Sequence, residues 1–570
     1  MSIVKSWAAL SVAVLPWLAA CGGSDQAPPS PLQRATRFGA VMGTDQTAAS
    51  GTYAWLGVPF AKPPVGALRW KAPVDPDAWS GTRTAQAFGN ACIQNGRIYG
   101  PGSNNTYDST IGTTLNTPVG NEDCLTLNIW RPASAEANLP VLFFIHGGSN
   151  ISGYSADPVY NGAALAKSAN AVVVTANYRL GVLGFFNLVQ LKAGAAANDA
   201  SGNFAILDNL QALGFIHQNI ANFGGDAANV TVMGQSAGAI NTWALVTSPL
   251  AAGLFHKAIA LSGGISLASN LPAGTIPTLN PATTYATQAN NLLYNLLIAD
   301  GHATDTASAQ AYVATQTDAQ IADYLRGKDA ATILGTVLAK GLTGSGPIPE
   351  GTVVPVDPIG AIAAGHYNKV PVLAGNTAEE GKLFAPFLAL FGGPPGFKIT
   401  DATRFAMMAN FNPDAPASLS EADIIDPAYL PSDAPTTGWN AKTALLGNVF
   451  MIPSRNNVLD TLKTQQSNVW YYQFKWAQEP VPWDTVYGAA HAFDLPFVFG
   501  NFGRSVFSNA ANSSANQPGR LALSAAMMKS IAAFIRNGDP NNAAVGVNWP
   551  VWPATLTFDA SPTQAQIGVQ

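Results

Sequence analysis

The serine at position 236 has the surroundings of a catalytic nucleophile. It lies in Gly234-Gln235-Ser236-Ala237-Gly238, where the strand-like run "NVTVM" ends and a helix-like run begins. Glycines two residues to either side weaken both elements, so folding stability alone does not account for the pattern. A strand–turn–helix of this kind exposes a serine hydroxyl for attack on a carbonyl carbon and aims helix N–H groups at the developing negative charge. The pattern therefore predicts acyl transfer at Ser236.

A serine hydroxyl needs a base to remove its proton and an acid to orient that base. The turn around Ser236 is typical of sites in which the chain order is serine, acid, histidine. Of the six histidines, His491 in the glycine-bearing loop "YGAAHAFDLPFVFG" fits this order best. The other five precede the serine, follow it too closely, or lie before the best acid candidate: His146, His217, His256, His302 and His366. His491 is the predicted base.

The acid is predicted in the segment "VPVLAGNTAEEGKLF", where a strand ends at Ala374 and a loop follows. A carboxylate in that loop can reach the carboxyl edge of the sheet, where the serine also lies. Glu379 and Glu380 are adjacent there, and composition does not choose between them.

The elements that must position these residues alternate between strand and helix. Apolar runs typical of buried parallel strands occur at "PVLFFI", "AVVVTANY", "NVTVM", "KAIALSG", "VPVLAG" and "SNVWYYQFKW". Helical patterns occur at "GNFAILDNLQALGFIHQNIANF" and at "ALSAAMMKSIAAFIRNGDPN", which Gly538 and Pro540 end. The alternation predicts an α/β fold with a sheet covered on both faces. Residues 280–345 are predicted to form a helical insertion, and residues 385–440 loops and short helices.

The N-terminal segment has the pattern of an export signal. Residues 1–20 carry one lysine, a short apolar run and small residues, and Cys21 follows them directly. The run "LAAC" resembles the lipobox of bacterial lipoprotein signals, which implies a lipid on Cys21. The alternative is an ordinary secretory signal in which this cysteine is incidental. Residues 21–32 are predicted to be a flexible tether and residues 33–570 a single domain. The protein is expected in the cell envelope, lipid-anchored at the outer membrane or facing the periplasm, or else secreted.

Composition and cysteine usage narrow the function classes. The net charge is −5 and only 11% of residues are charged, so no basic surface for nucleic acid is indicated. Of the three cysteines, Cys92 and Cys124 remain as a pair when Cys21 carries lipid, and an oxidising compartment favours a disulfide between them. Two free buried thiols are the alternative.

Seven blocks of the sequence, in order, resemble the type-B carboxylesterase/lipase family, which includes bacterial para-nitrobenzyl esterases and cholinesterases. The blocks cover nearly the whole mature chain and read "GTYAWLGVPFAKPPVGALRWKAP", "NEDCLTLNIW", "VLFFIHGGSN", "VVVTANYRLGVLGFF", "NIANFGGDAANVTVMGQSAG", "GNTAEEGKLF" and "GAAHAFDLPFVFG". The resemblance implies an α/β-hydrolase fold, with a large and mostly parallel sheet, flanking helices and helical insertions over the active site. It also implies a serine carboxylesterase that needs no metal or cofactor.

The resemblance assigns further residues. In the family, the acid is the glutamate directly before a glycine, which here selects Glu380. Family members bridge the two cysteines that align with Cys92 and Cys124. The oxyanion-hole donors correspond to the backbone N–H groups of Gly148, Ser149 and Ala237. Ser149 departs from the family pattern, which has a third glycine there, and its Cβ is expected to narrow the acyl side or to constrain the backbone.

Three other functions are compatible with the same fold. Non-catalytic adhesion or binding members of the family have lost the nucleophile, whereas this chain keeps all three catalytic residue types. A cholinesterase is not favoured, because the Cys92–Cys124 loop lacks a tryptophan for cation–π binding of choline and Gln235 is neutral. A lipase or polyester-degrading esterase remains open, so the partner is a small-molecule or polymeric ester. The sequence leaves the natural ester and the oligomeric state open, and a membrane contact is expected only through the lipid anchor.

Overall fold

A computed structural model describes residues 30–342, 344–415 and 418–570. The predicted signal segment, Cys21 and most of the predicted tether lie outside these residues. The first strand begins at Gln33, the position at which the sequence predicts the folded domain to begin. None of the described helices combines the length and the apolar character needed to cross a bilayer.

The described residues form sixteen strands. Their bounds are β1 Gln33–Thr36, β2 Gly39–Met42, β3 Thr44–Gln46, β4 Thr52–Pro59, β5 Thr82–Thr84, β6 Gln94–Asn95, β7 Pro118–Val119, β8 Thr126–Pro132, β9 Leu139–Ile145, β10 Val172–Ala176, β11 Gly225–Gln235, β12 Lys257–Leu261, β13 Val372–Thr377, β14 Val469–Phe474, β15 Leu556–Ala560 and β16 Ala565–Val569.

Seventeen α-helices accompany the strands in the described part of the chain, together with shorter 3₁₀ turns. Their bounds are α1 Thr47–Ser50, α2 Ile111–Thr114, α3 Ala163–Ala169, α4 Gly181–Gly184, α5 Ala197–Ser201, α6 Phe204–Asn219, α7 Ala237–Thr247, α8 Ala282–Ala299, α9 Thr306–Ala314, α10 Asp318–Arg326, α11 Ala330–Ala339, α12 Pro358–Ala363, α13 Asp401–Asn410, α14 Trp439–Lys463, α15 Trp483–Val486, α16 Leu495–Phe499 and α17 Gln517–Asn537.

One eleven-stranded sheet organises the molecule, in the order β16-β15-β14-β13-β12-β11-β9-β10-β8-β4-β3. The seven strands from β15 to β10 pair in parallel, while β8, β4, β3 and β16 pair antiparallel at the two ends. This is the mostly parallel sheet of the α/β-hydrolase fold, and the prediction of the fold class is confirmed. Small sheets β1-β2-β5 and β6-β7 lie outside it.

Both faces of the sheet are buried, as its apolar strands predict. Along β9, Val141, Phe143 and Ile145 belong to one hydrophobic core, whereas Leu142 and Phe144 belong to the other. Helices α6 and α8 contribute to the first core, and α3 and α17 to the second. Burial on both sides explains why these strands read as continuous apolar runs rather than as alternating ones.

The two regions predicted to be a helical insertion and a stretch of loops have the expected character. Four helices, α8 to α11, lie within residues 282–339, and residues 385–440 contain α13, short turns and loops before α14. One prediction is wrong in detail: the strand expected to end at Ala374 continues to Thr377. Its last residues are not apolar, but the ladder with β14 holds them, pairing Thr377 with Phe474.

Candidate active site

Ser236 stands on a sharp turn between β11 and α7. Its backbone has φ 58° and ψ −124°, a conformation that costs energy for a residue with a side chain. A Cβ on Gly234 would lie 2.0 Å from the Gly238 oxygen, and one on Gly238 would lie 2.0 Å from the Ile145 oxygen. Both glycines are therefore required by close approach of the helix and of β9. The turn leaves the serine side chain partly exposed at the sheet edge.

His491 and Glu380 meet beside this turn. The imidazole Nδ1 lies 2.5 Å from Glu380 Oε2, and both side chains are almost fully buried. Because Nδ1–H donates to the carboxylate, the lone pair of the ring lies on Nε2. The structure thus brings together three residues that the sequence separates by more than a hundred positions.

The Glu380 carboxylate is held in its ionised form. Its second oxygen, Oε1, accepts hydrogen bonds from Ser262 Oγ at 2.7 Å, Asn376 Nδ2 at 2.8 Å and the Thr377 N–H at 2.9 Å. Burial alone raises the pKa of Glu380, but the contact with His491 and these donors outweigh it and lower the pKa below its ordinary value. Sequence reasoning missed Ser262 and Asn376, although each is a polar residue at or beyond the carboxyl end of a strand.

Glu379, the alternative acid, points elsewhere. Its carboxylate accepts a hydrogen bond from the Ala489 N–H at 2.9 Å and pairs with Lys382 Nζ at 2.6 Å. It therefore fastens the loop that carries His491 without touching the imidazole. The geometry supports Glu380, as the family block implies.

The second ring nitrogen of His491 contacts a neighbouring side chain. Gln235 Nε2 lies 3.1 Å from His491 Nε2, so the amide donates to the imidazole lone pair. No hydrogen bond joins Ser236 Oγ to a described residue. This contact was not foreseen from the sequence.

Three backbone N–H groups around Ser236 have no acceptor among the described residues. Those of Gly148 and Ser149 belong to the turn after β9, and that of Ala237 lies in the first turn of α7, where no intrahelical acceptor exists. Gly148 has φ 105°, and a Cβ there would lie 2.1 Å from the Ser152 oxygen. Ser149 is held at φ 58° and is exposed, so its side chain faces the cavity in a backbone conformation that favours glycine.

A cavity of about 130 Å³ opens above these groups. Its walls are mostly apolar and include Leu383, Phe384, Phe387 and Phe507. The Phe384 ring lies 4.7 Å from the His491 ring and shields it from water. The arrangement can bind a carbonyl compound, attack it with Ser236 and stabilise an oxyanion.

The Cys92–Cys124 pair is bonded, as predicted, and closes the loop that forms one wall of this cavity. The loop contributes Arg97 and Tyr99 to the wall. Neither residue was singled out as a binding residue from the sequence, because a loop gives no periodic signal of the direction its side chains take.

Removing the disulfide is expected to lower the free energy of unfolding by about 3–4 kcal/mol, because the unfolded chain regains the entropy of a loop this long. Denaturant titration of a Cys92→Ser/Cys124→Ser double variant measures the loss. Reductant is the control: it should bring the wild-type midpoint to that of the variant and leave the variant unchanged. Equal unfolding midpoints for the wild type and the variant in the absence of reductant would contradict the expectation.

The sequence profile described as "Carboxylesterase family" matches residues 30–566. The chain belongs to the carboxylesterase family. It is 32% identical over 536 residues to the para-nitrobenzyl esterase of Bacillus subtilis (strain 168), covering 93% of this chain and 95% of that protein. It is 30% identical over 563 residues to the cocaine esterase of Homo sapiens, covering 96% of this chain and 89% of that protein.

Solved carboxylesterase structures share the fold. A PNB esterase structure superposes with a TM-score of 0.69 at 27% identity, covering 95% of this chain and 97% of that one. The structure of the Geobacillus stearothermophilus carboxylesterase at pH 6.8 gives a TM-score of 0.68 at 27% identity, covering 95% of this chain and 98% of that one. Family membership makes this protein a serine carboxylesterase, a hydrolase of carboxylic esters. The non-catalytic alternative is not favoured, since these relatives are esterases by name.

Proposed function

We propose that this carboxylesterase acts through an acyl-enzyme at Ser236, with His491 as the base and Glu380 as the acid that orients it. The observation that carries the assignment is the 2.5 Å contact between His491 Nδ1 and Glu380 Oε2 beside the serine turn. That contact fixes the tautomer in which Nε2 can accept a proton.

The reaction proceeds in two halves. The ester carbonyl enters beside Ser236, and Gln235 gives up its hydrogen bond to His491 Nε2. The imidazole takes the proton of Ser236 Oγ as that oxygen attacks the carbonyl carbon. The tetrahedral oxyanion accepts hydrogen bonds from the N–H groups of Gly148, Ser149 and Ala237.

Collapse of this intermediate expels the alcohol, which receives the proton from His491. Water then attacks the acyl-enzyme by the same route, with His491 removing its proton and returning it to Ser236. Glu380 stays ionised throughout and stabilises the transient imidazolium, in keeping with its lowered pKa.

Purified protein tests the proposal by two measurements. It should hydrolyse para-nitrophenyl acetate, and a fluorophosphonate should stop the reaction by modifying a single residue. Mass spectrometry of the labelled protein is expected to place the phosphonate on the peptide that contains Ser236. A label at another serine, or full activity of labelled protein, would refute the assignment.

The cavity supports small and medium-sized esters as substrates. Its volume of about 130 Å³ and its aromatic walls suit a short acyl or alcohol group. Polymeric or lipid esters, which the sequence left open, would have to place only one end in the cavity.

The N-terminal sequence supports a location for this activity. We infer that Cys21 carries a lipid and that the segment after it tethers the enzyme to the envelope surface or to the periplasmic side. Gly22, rather than aspartate, follows the cysteine, which fits sorting to the outer membrane. An enzyme held there meets esters that arrive from outside the cell.

The Cys21→Ser variant tests the anchor. Wild-type enzyme is expected to sediment with membranes, whereas the variant should appear in the soluble fraction or accumulate unprocessed, because the residue that carries the proposed lipid is lost. Esterase activity per folded molecule should not change, since the site lies in the folded domain. Soluble wild-type enzyme with its N-terminus cut elsewhere would contradict the inference.

A further inference from the structure

The catalytic cavity contains one permanent charge. Among the described residues that line it, Arg97 is the only lysine, arginine, aspartate or glutamate. Arg97 forms no ion pair with a described residue, whereas Arg69, Arg179 and Arg404 are each paired with a carboxylate. A guanidinium without a counter-ion is therefore placed where the substrate binds.

A second unused donor belongs to the same cavity lining. The Ser152 side chain is 1% exposed, lines the same cavity, and its Oγ has no hydrogen-bond partner among the described residues. A Cβ on Gly100 would lie 2.7 Å from Ser152 Oγ, so the Cys92–Cys124 loop packs against the turn that carries Ser152. Arg97, from that loop, and Ser152 both line the cavity.

The fold holds these two segments in register. The Asn95 N–H donates to the Ile151 oxygen at 3.3 Å, and the Gly153 N–H donates to Gln94 Oε1 at 2.7 Å. The Cys92–Cys124 bond closes the loop from which Arg97 projects. The pair of donors is therefore built into the structure rather than carried by a free surface loop.

A neutral apolar substrate would leave the Arg97 guanidinium and the Ser152 hydroxyl without hydrogen-bond acceptors. Covering a guanidinium with hydrocarbon removes water from its five N–H donors and gives nothing in return, which costs free energy. A carboxylate would accept two charge-assisted hydrogen bonds from the fork and a third from Ser152 Oγ. No carboxylate from the described part of the protein lines the cavity to compete with it.

We propose that Arg97 and Ser152 form an anion subsite of the catalytic cavity, and that the preferred substrates are half-esters of dicarboxylic acids. The free carboxylate binds at Arg97 while the ester carbonyl reaches Ser236. The inference rests on the proposed role of Ser236, and it adds a substrate class to it.

A matched pair of substrates tests the subsite. Monoethyl glutarate carries a carboxylate where ethyl 5-oxohexanoate carries a methyl ketone of nearly the same shape. In wild-type enzyme, kcat/KM is expected to be higher for the half-ester than for the ketone ester. The ratio of the two values should fall about 10- to 100-fold in Arg97→Met, because hydrogen bonds between charged groups are strong. Arg97→Lys should retain part of the preference for the half-ester. Ser152→Ala should lower that preference less than Arg97→Met does.

Arg83→Met is the control variant. Arg83 is exposed, stacks over Trp79 and lies outside the cavity, so both the ratio and the activity should match wild type. Raising ionic strength should raise KM for the half-ester and not for the ketone ester, because salt screens the attraction to Arg97.

Inhibition provides a measurement that needs no variant. Glutarate should compete with ethyl 5-oxohexanoate for wild-type enzyme more strongly than the uncharged isostere 2,6-heptanedione. The inference is overturned when wild type shows no preference for the half-ester, when Arg97→Met changes both substrates equally, or when the two inhibitors act alike. Failure to hydrolyse any of these esters, para-nitrophenyl acetate included, would instead overturn the proposed function.

Discussion

The Ser236→Ala variant is expected to lose ester hydrolysis by about 10⁶-fold in kcat while it folds normally, as related triads do when the nucleophile is removed. Alanine takes away the only atom that forms the acyl bond, and neither His491 nor the oxyanion donors can replace it. The turn should become no less stable, since alanine adds no atom to the crowded space between Gly234 and Gly238.

Steady-state hydrolysis of para-nitrophenyl acetate gives the loss, and circular dichroism with thermal unfolding verifies the fold. The exposed Ser134→Ala is the matched control and should behave as wild type. A Ser236→Ala enzyme that keeps more than about a tenth of wild-type activity would disprove the nucleophile, because no residual mechanism supplies that rate.

The second large effect is expected at the acid. Glu380→Gln should lower kcat by several orders of magnitude, about 10⁴-fold in comparable triads. An amide at this position has one N–H₂ group, which must point either toward His491 Nδ1 or toward the donors Ser262 and Asn376. When it points toward Nδ1, the imidazole adopts the unproductive tautomer. The pH-independent kcat measures this effect.

Glu379→Gln is the matched control one residue away. Its amide oxygen can still accept the Ala489 N–H, while the pairing with Lys382 is lost, so a small change in activity is expected. Should the two variants exchange phenotypes, the acid would have been assigned one residue too late.

The sequence predicted the parts of this site that have local signatures. The glycines around Ser236 mark a turn that no other residues can form, and strand–helix alternation places its hydroxyl at the carboxyl edge of the sheet. The order of serine, acid and histidine then reduced six histidines to one. All of this follows from spacing and chain direction.

What the sequence did not predict depends on contacts between distant segments. Composition alone did not separate Glu379 from Glu380, since only the packing of the His491 loop decides which carboxylate meets the imidazole. The end of β13 was placed three residues early, because pairing with β14 overrides the loss of apolar character. The contact of Gln235 with His491 joins residues 256 positions apart and has no sequence pattern.

The distances along the chain between the proposed catalytic residues bear on when activity arises. His491 and Glu380 are 111 positions apart, and the strands that carry the site are neighbours only in the finished sheet. Contacts of such sequence separation form late and slowly in folding. A chain still being synthesised, or one truncated before residue 491, can complete the serine turn and remain chemically inert. A chain that ends before residue 491 lacks the proposed base, so it is expected to have no esterase activity even where the serine turn has formed.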